Sequence, residues 1–145
     1  MTYSKFTQAR ALLFSAWFFI FGVTGVYAGE LIVVVDNVKS EQGHVRAALF
    51  NNAKSFPKLP FLGQHAAAKA GTVTFTFENM PPGQYAVSAY QDLNDNEKLD
   101  TSFVGKPVEP YGFSRNARGT FGPPAFEEAM IALDGDHKTV TFNVK

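Results

Sequence analysis

The chain has no cysteine, which excludes disulfides, thiolate metal sites and a cysteine nucleophile. It also has no surplus of charge, since Lys plus Arg and Asp plus Glu both number 13. A nucleic-acid binder ordinarily carries a basic patch or a high pI, so nothing here points to a polyanion partner. Histidine is scarce too. His44, His65 and His137 are far apart in sequence and lack zinc-ligand spacing, so each reads as an exposed strand or turn residue. The single tryptophan, Trp17, falls in the amino-terminal segment, so the Cys pair and core Trp of an antibody-type domain are both missing. No stretch carries the period of a convincing amphipathic helix.

What is present begins with one apolar run. Lys5 and Arg10 are the only charges before Glu30, and Ala11 to Val26, with AWFFIF at its centre, leads to Val26-Tyr27-Ala28. A basic start, an apolar stretch and small residues before a cut describe a secretory signal peptide. The run is about 16 residues, short of the ~20 that a spanning helix needs. The expectation is a signal peptide over residues 1–28 and one domain over residues 29–145, periplasmic or secreted, with no membrane span after cleavage.

The rest reads as strands. Leu31 to Val38 is a β-branched run expected to be buried on both faces, and His44 to Phe50 follows a polar turn. Asn51 to Gly71 looks irregular, with one helical turn at most over Ala66–Ala70. Thr72 to Glu78 alternates cleanly, with Val73, Phe75 and Phe77 on one side. Met80-Pro81-Pro82-Gly83 makes a tight turn into the strand Gln84–Gln91. Glu127–Leu133 and Lys138–Val144 flank Asp134-Gly135-Asp136 as a hairpin candidate. Six or seven strands with period-2 apolar faces and no helix must bury those faces against another sheet. The fold class is therefore all-β, an immunoglobulin-like or transthyretin-like two-sheet sandwich with one long loop.

That loop, from Tyr90 to Phe126, is the organising feature. Structureless connections beyond about 12–15 residues are uncommon in compact domains unless functional or disordered. Phe103, Val104, Tyr111, Phe113, Phe121 and Phe126 argue for order, with the loop docked on one end of the sandwich. It opens with Asp92, Asn94, Asn96 and Asp100 at loop positions 1, 3, 5 and 9, and the backbone carbonyl of Lys98 falls at position 7. Alternating oxygen donors let a tight loop wrap a hard cation, so calcium is the expected cofactor. Glu97 replaces the usual Gly at position 6 and Phe103 replaces the usual Glu at position 12, so this is not an EF-hand. The same side chains also serve as Asx turns without metal.

Tyr111, Phe113, Phe121 and Phe126 form either a ligand-stacking surface or the loop's own small core. Arg115 and Arg118 read as a clamp for a carboxylate or phosphate, or as partners of the preceding acidic loop. Gly112 to Asn116 begins like a nucleophile elbow but lacks the closing Gly and a following helix. Glu127 and Glu128, adjacent on a strand, would face opposite sides. No catalytic constellation emerges.

The segment FENMPPGQYAVSAYQDLNDNEKLDTSFVGKPVEPYGFSRNARGTFGPPAFEEA resembles a bacterial secreted family known as domain of unknown function 2141. The likeness rests on the Pro-Pro-Gly turn, the acidic Asn-rich loop ending in Lys98-Leu99-Asp100, Gly105 to Pro107, Tyr111 to Ser114 and Gly122 to Phe126. It implies an exported all-β domain with no established activity. Gln91 stands where the family often has His, and Glu97 where it usually has Gly. The function expected is an exported, non-enzymatic binding or accessory module. Its partner would be an envelope or extracellular protein or a glycan. A purely structural envelope protein is the alternative.

Overall fold

The computed structural model describes residues 29–145, and the expected signal peptide lies outside them. Eight strands form two sheets: β1 (Gly29–Val38), β2 (His44–Phe50), β3 (Leu62–Ala67), β4 (Gly71–Met80), β5 (Gly83–Asp92), β6 (Tyr111–Phe113), β7 (Ile131–Leu133) and β8 (His137–Asn143). One sheet is ordered β4-β1-β8. The other runs β3-β2-β5-β6, and β7 joins β5 ahead of β6 on the same edge. Strand β1 is antiparallel to β4 and parallel to β8. The two-sheet sandwich read from the period-2 pattern is the architecture observed.

The core follows from alternation. Leu31, Val33 and Val35 of β1, Phe75 and Phe77 of β4, and Phe142 of β8 face Val45, Leu49, Tyr85 and Val87 of the opposite sheet. Packed side chains from two inner faces make the interior of such a sandwich. Strand β1 is buried on this face only. Its other face is half-covered, contrary to the two-sided burial expected from its β-branched run.

Three other expectations are corrected. The segment read as irregular contains β3, and Ala66 and Ala67 extend as strand rather than coil into a helical turn, because the exposed β2 edge offers them a backbone partner. Phe126–Ala129 is a single helical turn, α1, preceding a β7 of only three residues. Asp134-Gly135-Asp136 does not close a hairpin: β7 pairs with β5 while β8 pairs with β1, so this turn carries the chain between sheets. Met80 to Gly83 also crosses between sheets, and the Tyr85 hydroxyl donates to the Pro81 carbonyl at 2.7 Å.

One side of the sandwich is closed by backbone. Tyr111 of β6 and Lys145 exchange N–H···O bonds of 3.2 and 3.0 Å. This approach requires Gly112, where a Cβ would sit 2.2 Å from the Asn143 carbonyl oxygen. On the opposite side the Gln64 amide donates to the Thr76 carbonyl at 2.8 Å, linking β3 to β4.

Between β7 and β6 the β5 edge has a gap at Val87. Buried backbone groups must find partners, and here the fully buried Ser114 hydroxyl accepts from the Val87 N–H at 2.9 Å. Its own proton lies between the Val87 and Ala129 carbonyl oxygens. The serine of the elbow-like stretch is therefore a stitch in the sheet.

Candidate functional site

The outer face of the five-stranded sheet is where the loop lies. The register puts Arg46 opposite Tyr90 and His44 opposite Asp92 on β2 and β5. Because side chains alternate, His44, Arg46, Ala48 and Phe50 share the outer face with Ala86, Ser88, Tyr90 and Asp92. The loop covers this face, which corrects the expectation that it docks on one end of the sandwich. The face divides into a polar end, an open middle and an aromatic end.

At the polar end Asp92 is fully buried. One carboxylate oxygen accepts from Arg46 Nε at 2.7 Å and from the Glu97 N–H at 2.9 Å, and the other accepts from the Asn96 N–H at 3.1 Å. Burial by itself pushes the Asp92 carboxyl upward. The Arg46 bond and the two backbone N–H groups together outweigh it and hold the group below its ordinary value. The same bond to Asp92 raises Arg46 against the opposing cost of burial.

The acidic loop closes on itself above this pair. Asn94 and Asn96 accept from the N–H two residues on, at 3.2 and 2.9 Å, as Asx turns do. Their amide nitrogens donate to the two oxygens of Asp100 at 2.7 and 2.9 Å. Glu109, also buried, accepts from the Leu93 and Asp100 N–H groups at 2.8 and 2.9 Å, which clamps both ends of the loop. Glu97 adopts the positive φ of 66° that its turn position demands. Gly43 underlies the loop at φ +70°, and a Cβ there would lie 1.8 Å from the Asp92 carbonyl oxygen.

Asp92, Asn94, Asn96 and Asp100 are thus brought together, while Lys98 contributes its N–H to the Asn96 side chain. They do not form a ready cation cage. Both Asp92 oxygens are engaged by protein donors, and no three His, Cys, Asp or Glu side chains converge at metal-ligand spacing among the described residues. Gln91 faces the other side of β5 from Asp92 and bonds Lys39, Ser40 and Gln42, so that position ties down the β1–β2 turn.

The guanidinium partner of the acidic loop is Arg46, not Arg115 or Arg118 as one of the two sequence readings expects. Arg115 points to the Glu127 and Met130 carbonyls, and Arg118 lies 5.9 Å from the Tyr111 ring centre. The available signal was the alternation of β2: Val45, Ala47 and Leu49 claim the core, leaving Arg46 on the opposite face as a charge needing a partner. Glu109 gave no comparable signal. Glu127 and Glu128 sit on the helical turn, where Glu128 accepts from the Ala125 N–H at 2.7 Å.

The aromatic end is a second core. Phe56 packs edge-to-face on Phe50, Phe113 and Phe126, with ring centres 5.1, 5.6 and 5.9 Å apart. Such pairs contribute about 0.5–1.5 kcal/mol beyond area burial. Of the four aromatics singled out in the sequence, Phe113 and Phe126 are thus buried, Tyr111 is half-buried and Phe121 is fully exposed.

Between the two ends is a cleft of about 640 Å³. Its floor is Ala48, Ser88, Tyr90 and Tyr111, and loop residues 104–107 and 119–123 form its walls. Among the described residues Lys106 is the only charged one in its lining. Residues 100–108 fold as a small irregular hairpin, with Thr101 bridged to Pro107 and the fully exposed Phe103 at its tip.

These features define a two-sheet β-sandwich with a loop-walled apolar cleft on one outer face. A family model described as an uncharacterized protein conserved in bacteria, domain of unknown function 2141, matches residues 33–141, and the chain belongs to that family. No curated protein and no solved structure matches the chain. No helix among the described residues is long and apolar enough to cross a membrane.

Proposed function

We propose that this is an exported, non-enzymatic binding module whose loop-walled cleft takes an apolar face of an envelope or extracellular partner, protein or glycan. The observation that carries the reading is the state of the loop aromatics. The fully exposed Phe121, Val104 at 69% exposure and a half-buried Tyr111 all line the cleft. A loop that served only to close the sandwich would bury these groups, as it buries Phe113 and Phe126. Cavities of about 300–1,000 Å³, mostly apolar with a few polar groups, are typical of ligand sites. Among the described residues the lining is apolar apart from Lys106 and the hydroxyls of Ser88, Tyr90, Tyr111 and Thr120, which suits binding of an apolar face. Export is supported by the basic–apolar–small pattern of residues 1–28 alone.

The test is capture from envelope extract and from immobilised glycans by the wild type and by a Phe121→Ser, Val104→Ser variant. Both substitutions are at exposed positions and should leave the fold intact. A partner bound by the wild type and lost by the variant is the expected result. Identical capture by both, or none by either, would return the loop to the structural alternative.

Calcium at Asp92, Asn94, Asn96, Asp100 and the Lys98 carbonyl is a second reading, carried by the spacing of the donors. It requires the two Asn side chains to turn their oxygens toward the ion and Asp92 to share its carboxylate with Arg46. Under this reading about 1 mM calcium raises the melting temperature by roughly 3–6 °C if Kd is near 10⁻⁴ M. A melting curve indifferent to calcium and to chelator leaves the loop held by Arg46 and Glu109.

A further inference from the structure

We propose that His44 and His65 form a two-nitrogen site for a borderline divalent cation of the copper and zinc class, with Asp95 positioning His44. The β2–β3 register places His65 opposite Arg46, two residues from His44 and on the same outer face. The two rings, far apart in sequence, stand 5.7 Å apart centre to centre with an interplanar angle of 71°. Two imidazoles sharing one metal through bonds of about 2.0–2.1 Å have ring centres roughly 5–6 Å apart, a separation this pair already has.

The second observation concerns the tautomer. His44 Nδ1 lies 2.6 Å from the Asp95 carboxylate. A carboxylate only accepts, so Nδ1 carries the hydrogen and Nε2 is the nitrogen that faces a ligand bond. Orientation of a ligating imidazole by a carboxylate is the usual arrangement behind metal-bound histidine. Among the described residues no donor or acceptor engages the His65 ring, which is exposed on the edge strand.

The surrounding charge favours a cation. Arg46 shares this face, opposite His65 and two residues from His44, but it is bound to Asp92 at 2.7 Å and Glu97 at 3.3 Å. With Asp95 there are three carboxylates against one guanidinium. Among the described residues no third ligand converges, so the remaining coordination positions belong to water or to donor atoms of a bound molecule. Imidazole selects copper, nickel and zinc over magnesium and calcium, which sets this site apart from the oxygen donors of the acidic loop. It is also independent of the cleft.

Titration of the protein with copper(II) and zinc(II), read by calorimetry, tests the site, and copper paramagnetic resonance reports the ligands. The expected result is one saturable site, tighter for copper than for zinc, with a resonance signature of two imidazole nitrogens. His44→Ala and His65→Ala each abolish it. Asp95→Asn keeps the stoichiometry but weakens affinity about 10–100-fold, and His137→Ala, in the other sheet, changes nothing. Metal-free melting curves establish that each variant is folded. His65 is exposed, so His65→Ala decides alone if His44→Ala unfolds. Absence of saturable binding, or binding that survives His65→Ala, overturns the proposal and leaves His44–Asp95 as a loop clamp.

Discussion

The two ends of one sheet face are closed by opposite chemistry. At the aromatic end, Phe50, Phe56, Phe113 and Phe126 cover the strands by burying surface, a non-directional force that tolerates small shifts. At the polar end, Asp92, Arg46, Glu109 and the Asx turns cover them by bonds with fixed partners and angles. The difference teaches where the face is robust and where it is conditional. Aromatic packing should respond to volume, whereas the polar end should respond to pH and to single-atom changes. The cleft lies between them because neither covering extends over Ala48, Ser88 and Tyr90.

The largest effect is expected at the aromatic end. Phe50→Ala should destabilise the protein by about 3–5 kcal/mol, since the ring is fully buried and its loss leaves a cavity among Phe56 and Phe113. Urea denaturation measures this, and a loss below about 1 kcal/mol would mean that the cluster collapses onto the gap.

The next effect belongs to the polar end and carries a pH signature. Because Asp92 titrates below its ordinary value in the folded protein, its contribution is present above the unfolded value of about 3.9 and lost as pH falls through the folded one. Asp92→Asn should therefore cost about 1.5–3 kcal/mol at neutral pH, as expected for a bond to a charged group, and much less in acid. Stability measured from pH 7 down to 2 should show the two proteins converging. Parallel curves would deny Asp92 the anchoring role and remove the contrast with Phe50.

The smallest effect runs in the stabilising direction. Glu97 holds a left-handed conformation that disfavours L-residues by about 1–2 kcal/mol. Glu97→Gly relieves this while losing a long, exposed contact to Arg46 and adding chain freedom in the unfolded state. A net gain of a few tenths to about 1 kcal/mol is expected in thermal melts. A net loss would show that the Glu97–Arg46 contact matters more than the backbone strain.

Local pattern by itself determined the sandwich. Period-2 alternation in Thr72–Glu78, the β-branched run of β1 and the absence of a helical period leave sheet-on-sheet packing as the way to bury those faces. It also determined that residues 92–100 form a tight turn of oxygen-bearing side chains, which follows from groups acting within a few residues of themselves, although it left a cation loop and metal-free Asx turns both open. Only the tertiary structure decided what the loop meets. Whether an aromatic is core or cleft depends on the strand beneath it, so Phe113 and Phe121 could not be told apart by composition. Arg46 as the partner of Asp92, and His65 beside His44, are products of strand register, which brings together residues that the sequence keeps far apart. The same non-local pairing drew Ala66 and Ala67 into β3 and sent β7 and β8 to different sheets, since a backbone edge in need of partners outweighs weak local propensity.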